Sequence, residues 1–139
     1  EALLALPRSV RTCHRDLFAD NLLPTPDGGL CVIDWENSGL ADPSYELAVV
    51  LFEFAGTDAR RATTLYAAYR DAGGPGTIGR REDFTMAIAQ LAHIGHIAAT
   101  RWLADPRPAQ RSRNQARVEE VIDDGITLDQ IDLLLAAVA

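Results

Sequence analysis

The chain has 139 residues, 47% of them hydrophobic, with a formal net charge of −7. That length suits one domain or one lobe with an ample core, and the acidic balance argues against nucleic acid or an anionic membrane surface as a partner. No apolar run approaches the roughly 18 to 20 residues of a membrane span, and no stretch reads as a signal peptide, although the chain opens at Glu1 and not at Met.

Glu1 to Leu6 favours helix and ends at Pro7. Ser9 to Cys13 predicts a short strand that feeds a polar loop, Cys13-His14-Arg15-Asp16-Leu17-Phe18-Ala19-Asp20-Asn21. Leu22 to Ile33 reads as a hairpin. Its apolar start is Leu22-Leu23-Pro24, its turn is Pro26-Asp27-Gly28-Gly29, and its return is the β-favouring Leu30-Cys31-Val32-Ile33. A hairpin of that length brings Asp34 back beside the loop. Asn37 to Ala41 reads as a loop.

Helices follow. Asp42 suits an N-cap and Pro43 a first helical position, and Leu47, Val50, Leu51 and Phe54 have the i, i+3, i+4, i+7 spacing of a buried face. Gly56 and Thr57 interrupt. Ala62, Leu65, Tyr66 and Tyr69 repeat the spacing up to Gly73, and a Gly/Pro loop runs to Gly79. A long helix is expected from about Glu82 to Leu103, with Phe84, Ile88, Leu91, Ile94, Ala98 and Trp102 apolar, broken at Asp105 to Pro108. A short helix around Val118 to Asp123 ends near Gly125. Thr127 and Gln130 form a capping box for a last helix that buries Ile131, Leu134, Leu135 and Val138. The sum is α+β and mostly helical.

Two carboxylates and one carboxamide stand at fixed offsets around the hairpin. Asn21 follows Asp16 by five residues, and Asp34 comes thirteen later. Phosphoryl transfer to a hydroxyl needs a base for the hydroxyl proton and oxygen ligands for Mg²⁺ on the nucleotide phosphates. Asp16 is the candidate base, and Asn21 and Asp34 are the candidate metal and cofactor-binding residues. His-Arg-Asp with Asn five residues on is the kinase catalytic-loop pattern, and Asp34 falls where the Asp of Asp-Phe-Gly would fall.

His14-Arg15-Asp16-Leu17 with Asn21, then Ile33-Asp34-Trp35-Glu36, then Asp42-Pro43-Ser44-Tyr45-Glu46-Leu47-Ala48 resemble the aminoglycoside phosphotransferase family, the small-molecule branch of the kinase-like fold. The resemblance covers roughly residues 10 to 50. Glu36 stands where protein kinases have the Gly of Asp-Phe-Gly, and Asp42-Pro43 opens a helix eight residues after Asp34, which leaves no room for an activation loop. The resemblance implies the C-terminal lobe of a kinase-like fold, with Asp16 catalytic and Asn21 and Asp34 holding Mg²⁺ and, through it, ATP. It also implies a cytoplasmic enzyme with a small-molecule hydroxyl acceptor: an aminoglycoside or other antibiotic, as in antibiotic resistance, or choline, homoserine or a sugar.

All 13 basic residues are Arg, and the chain contains no Lys. The strand Lys that holds the α- and β-phosphates in this fold is therefore not in the chain. An N-terminal ATP-binding lobe is expected to be missing, with the isolated lobe inactive and prone to self-association where that lobe docked. Two other readings compete: a non-catalytic binding domain derived from such a kinase, and a Mg²⁺-dependent hydrolase using the same acids.

Other residues have plainer readings. Cys13 and Cys31, both on predicted strands, read as buried free thiols. His14 reads as structural, Arg15 as uninformative about substrate, and Asp20 as a turn residue. Gly74-Pro75-Gly76-Thr77-Ile78-Gly79 matches G-x-G-x-x-G, but no strand precedes it, so a dinucleotide site is rejected. His93 and His96 read as packing or surface residues. The acids Glu119, Glu120, Asp123, Asp124, Asp129 and Asp132 read first as a solvated helix face and second as a wall for a cationic substrate.

Overall fold

The computed structural model describes residues 10–139. The helical reading of Glu1 to Leu6 and the start of the first strand at Ser9 lie outside the described residues. The rest is mostly helical, with two small antiparallel sheets. Strand β1 (Arg11–Cys13) pairs with β4 (Gly39–Ala41), and β2 (Leu22–Pro24) pairs with β3 (Leu30–Val32).

The β2–β3 hairpin is as expected. Leu22 faces Val32 and Pro24 faces Leu30, and Gly28 supplies the positive φ of the turn at 83°. Strand β4 corrects the reading of Asn37 to Ala41 as a plain loop. It forms because Arg11, Thr12 and Cys13 offer it a ladder, Cys13 opposite Gly39. A three-residue strand carries too little pattern to show such a partner.

Helix α1 (Pro43–Ala55) starts where expected. The Asp42 side chain accepts from the Ser44 N–H at 2.9 Å, and Pro43 occupies the first turn. Gly56 ends it at φ 56°. Its buried face is rotated from the expected one: Leu47, Ala48, Val49, Leu51 and Ala55 are buried, while Val50 and Phe54 are only half-buried. Two alanines on the inner face let neighbouring elements approach closely, and the larger side chains flank that contact.

Helix α2 (Ala59–Asp71) is capped by Asp58, which accepts from the N–H groups of Arg60 and Arg61. It buries Ala62 and packs Leu65, Tyr66 and Tyr69 against the core. The glycine loop that follows is a packing element. The Gly76 N–H donates to the Tyr69 hydroxyl at 2.7 Å, and a Cβ at Gly76 would stand 2.9 Å from the Pro43 carbonyl. The rejection of a dinucleotide site holds, since helix α2 and not a strand precedes the loop.

A 3-10 turn over Arg81–Phe84 leads into α3 (Thr85–Ala104). Phe84 is fully buried, whereas Ile88, another apolar position of this stretch, is 43% exposed. Helix α4 (Pro108–Asp123) runs antiparallel along α3 and is much longer than the expected stretch from Val118. Pro108 sits in its first turn, where proline starts a helix as readily as it breaks one. The link between the two helices is held by Asp105, whose carboxylate accepts from Arg107 Nε at 2.8 Å; that guanidinium pulls the Asp105 carboxyl down to about 2.

Helix α5 (Leu128–Val138) is capped by Thr127, which accepts from the Gln130 N–H. It buries Ile131 and Leu134 as its spacing predicts, while Leu135 and Val138, expected to be buried, are only partly so and pack at the edge of the core. The core gathers Leu47, Ala48, Leu51 and Ala55 of α1 with Ala62, Ile78, Phe84, Ile131 and Leu134. The strands lie outside that core, and Leu23, Leu30, Trp35 and Leu40 are exposed there. No helix among the described residues is long and apolar enough to cross a membrane.

The cap of α1 gives a stability prediction. Asp42→Ala is expected to lower the unfolding free energy by about 1 to 2 kcal/mol, read as a lower urea midpoint with an unchanged slope. An unchanged midpoint would show that the cap contributes nothing.

Candidate functional site

The loop after β1 is held on three sides. His14 is 3% exposed, and its Nε2 lies 2.7 Å from the Ile33 carbonyl oxygen. A carbonyl can only accept, so Nε2 carries the hydrogen, and the buried Nδ1 has no partner among the described residues. The His14 ring meets Trp35 edge-on, with centroids 4.7 Å apart. His14 thus ties the loop to the residue before Asp34, the structural role its position suggested.

Arg15 takes a left-handed backbone at φ 70°, a conformation that costs a non-glycine residue about 1 to 3 kcal/mol. Both ends of the residue are fixed by helices. Its N–H donates to Glu46 Oε2 at 2.6 Å, and its carbonyl accepts from Gln90 Nε2 at 3.2 Å. On the far side of Asp16, the Ala19 N–H donates to Glu53 Oε1 at 3.1 Å. Glu46 and Glu53 are two turns apart on α1, so one helix face grips the loop at two points.

Asp16 is half-buried. Its Oδ1 accepts from Gln90 Nε2 at 3.2 Å and its Oδ2 from Asn37 Nδ2 at 3.4 Å. Its backbone carbonyl accepts from Asn21 Nδ2 at 2.7 Å. That bond occupies the nitrogen end of the Asn21 amide and leaves the oxygen end for a ligand. The Ile33 N–H donates to the Asn21 carbonyl at 3.0 Å, so Asn21 faces Ile33 at the open end of the hairpin, and Asp34 is the next residue. The register therefore brings Asn21 and Asp34 to one end of one hairpin. Asp34 is exposed and, like Arg15, left-handed, at φ 64°.

A cleft of about 620 Å³ opens beside this loop. Asp16, Arg15 and Leu17 form its floor, Tyr45, Glu46 and Val49 of α1 one wall, and Met86, Gln90, His93 and Ile94 of α3 the other. Asp16 lines the cleft; Asn21 and Asp34 do not. Among the described residues no group of three or more His, Cys, Asp and Glu gathers as a metal site. The Asn21 and Asp34 pair offers an amide oxygen and a carboxylate, the hard oxygen donors that fit Mg²⁺ completed by phosphate and water.

Several sequence readings are refined here. His93 lines the cleft as well as being exposed. The acids of Glu119 to Asp132 lie away from this cleft: Glu120 pairs with Arg117 and Asp132 with Arg81. The acid that lines the cleft beside Asp16 is Glu46. Cys13 is buried as expected, but Cys31 is exposed, since among the described residues nothing covers the β2–β3 hairpin there, and both thiols are free. Asn37, Glu46 and Gln90 were missed as site residues. Glu46 stood inside the quoted Asp42 to Ala48 motif. Gln90 was visible only as a polar residue four positions from Met86 and from Ile94.

Two measurements follow. Burial pushes the Cys13 thiol up, with Glu46 and Asp42 adding to the rise and Arg15 opposing it. A raised pKa means less thiolate at a given pH, so a thiol reagent at pH 8 should modify Cys31 first and Cys13 far more slowly, by mass spectrometry of the labelled peptides. Equal rates would overturn this picture of Cys13. Glu46→Ala removes the acceptor for the strained Arg15 N–H and should cost about 1.5 to 2 kcal/mol in a denaturant titration, the lower part of the range for a bond to a charged group because Glu46 is half-buried.

The pattern of the phosphotransferase enzyme family matches residues 1–84. Protein LicA of Haemophilus influenzae strain Rd is 46% identical over 44 residues, 32% of this chain and 16% of that protein. A second Haemophilus influenzae Protein LicA has the same identity over the same length, 13% of its own. The match thus spans less than a fifth of either relative. No solved structure matches the chain. With more than half of its residues matched by the family pattern, the chain belongs to the phosphotransferase enzyme family.

Proposed function

We propose that the chain is the C-terminal lobe of an ATP-dependent small-molecule O-phosphotransferase. The observation that carries this reading is the two-sided use of Asp16. Its carboxylate lines the cleft, while its backbone carbonyl is bound by Asn21 at the open end of the hairpin. A hydroxyl acceptor would enter the cleft, and the γ-phosphate of ATP would approach from the hairpin side. Asp16 would orient the hydroxyl and accept its proton as the oxygen bonds to the γ-phosphorus and the bond from that phosphorus to the β,γ-bridging oxygen breaks, releasing ADP. Asn21 Oδ1 and the Asp34 carboxylate would hold Mg²⁺, which supplies charge neutralisation on the phosphates when bound.

The walls of the cleft combine apolar Val49, Met86 and Ile94 with the carboxylate of Glu46. That mixture accommodates a compact acceptor with a cationic end as well as a neutral one, so aminoglycoside, choline, homoserine and sugar acceptors all remain to be assayed. Because the chain has no Lys, the phosphate-positioning contacts would come from polypeptide beyond these 139 residues.

Two assays test the proposal. In a full-length protein carrying this lobe, Asp16→Asn should keep nucleotide binding and lower turnover roughly 10²- to 10⁴-fold; unchanged turnover would remove Asp16 from the mechanism. The 139-residue chain alone, given Mg-ATP with kanamycin, choline, homoserine or glucose, should show no turnover near the roughly 1 to 100 s⁻¹ of ordinary kinases. Such a rate would mean that the nucleotide site lies wholly within this lobe.

A further inference from the structure

We propose that Gln90 is the positioning residue for Asp16, holding the carboxylate and the strained peptide before it with a single side-chain amide. The proposal rests on the reading of Asp16 as the base. Gln90 belongs to α3, beyond the 1–84 stretch that the family pattern matches.

The Gln90 Nε2 group has two hydrogens, and two acceptors lie at the same distance from it. One is the Arg15 carbonyl and the other is Asp16 Oδ1, each at 3.2 Å. The first is the carbonyl of the left-handed residue, whose N–H is fixed by Glu46 from the opposite helix. Gln90 therefore completes a brace across Arg15, from α1 on one side to α3 on the other, and the same amide reaches the functional carboxylate.

The chemistry of the donor suits the task. A carboxylate has about four lone-pair positions, and a single amide hydrogen occupies one of them. The oxygen keeps a position for an incoming hydroxyl. A neutral donor also fixes direction without the strong pull on a carboxylate proton affinity that a cation exerts. Gln90 is half-buried in the cleft wall between Met86 and Ile94, which sit one turn away on either side, so its own side chain is confined.

Positioning is read directly by NMR on the 139-residue chain, through the three-bond couplings that report Asp16 χ1. The wild-type chain should show couplings of one staggered rotamer. Gln90→Leu, which keeps bulk and removes both hydrogens, should give couplings averaged over two or more rotamers. Gln90→Glu, nearly the same shape with no donor at neutral pH, should release Asp16 as Gln90→Leu does, and this separates donation from packing. The resonances of buried Leu51, Phe84 and Leu134 should stay in place in both variants, which excludes unfolding as the cause.

Averaged couplings in the wild type, or a single retained rotamer in either folded variant, would overturn the proposal. The two ideas fail separately. The couplings report what Gln90 does to Asp16, whereas the turnover of Asp16→Asn reports whether Asp16 is a base at all.

Discussion

The site depends on one uncomfortable peptide. Arg15 sits in the left-handed region, which L-residues with a full side chain avoid. By turning the chain there, it sets the direction of Asp16 immediately after the β1 ladder ends. Such a conformation persists only if the surroundings over-determine it. Here the surroundings are Glu46 at its N–H and Gln90 at its carbonyl, one from each helix that walls the cleft. The strain and the cleft therefore have a common origin: α1 and α3 stand where they can reach the two ends of one residue.

Helix α1 serves the loop and the core at once. The helix begins at a buried cap, Asp42 with Pro43. It places Glu46 one turn in and Glu53 two turns later, and it turns Leu47, Leu51 and Ala55 inward to Phe84, Ile131 and Leu134. One face is core and the adjacent face is loop clamp. A shift of α1 along its axis would break the loop contacts and the core packing together, so the packing of the hydrophobic interior is also what keeps the loop in register.

How much of this was legible in the residues follows from sequence distance. The hairpin, the cap at Asp42, the glycine stop at Gly56 and the cap at Thr127 are local devices, and each shows in a window of a few residues. The grouping of Asp16, Asn21 and Asp34 was legible because a hairpin joins them. Strand β4 was not, since its partner β1 lies about 28 residues back and only pairing makes it a strand. Nor was the first half of α4, where four arginines over residues 107 to 117 dilute the apolar period and Pro108 mimics a stop. Gln90 meets Asp16 across 74 residues of sequence, and no local rule spans that distance. The rotated face of α1 shows the same limit: periodicity identifies a helix, but whether Ala48 or Val50 turns inward depends on the shape of the partner surface.

The choice of partners around Asp16 has its own logic. Arginine is plentiful in this chain, yet among the described residues the side chains that bond the Asp16 carboxylate are the uncharged amides of Gln90 and Asn37. A guanidinium would bind a carboxylate through two parallel hydrogen bonds. It would occupy both oxygens and favour their charged, proton-free form, which suits an ion pair and works against a base that must take up a proton. Amides hold the same oxygens singly and without charge. Arginines pair with other acids: Arg81 with Asp132 of α5, Arg107 with Asp105 between α3 and α4, and Arg117 with Glu120 within α4. The division places fixed charge at helix ends and surfaces and leaves dipolar contacts at Asp16, the carboxylate we propose as the base.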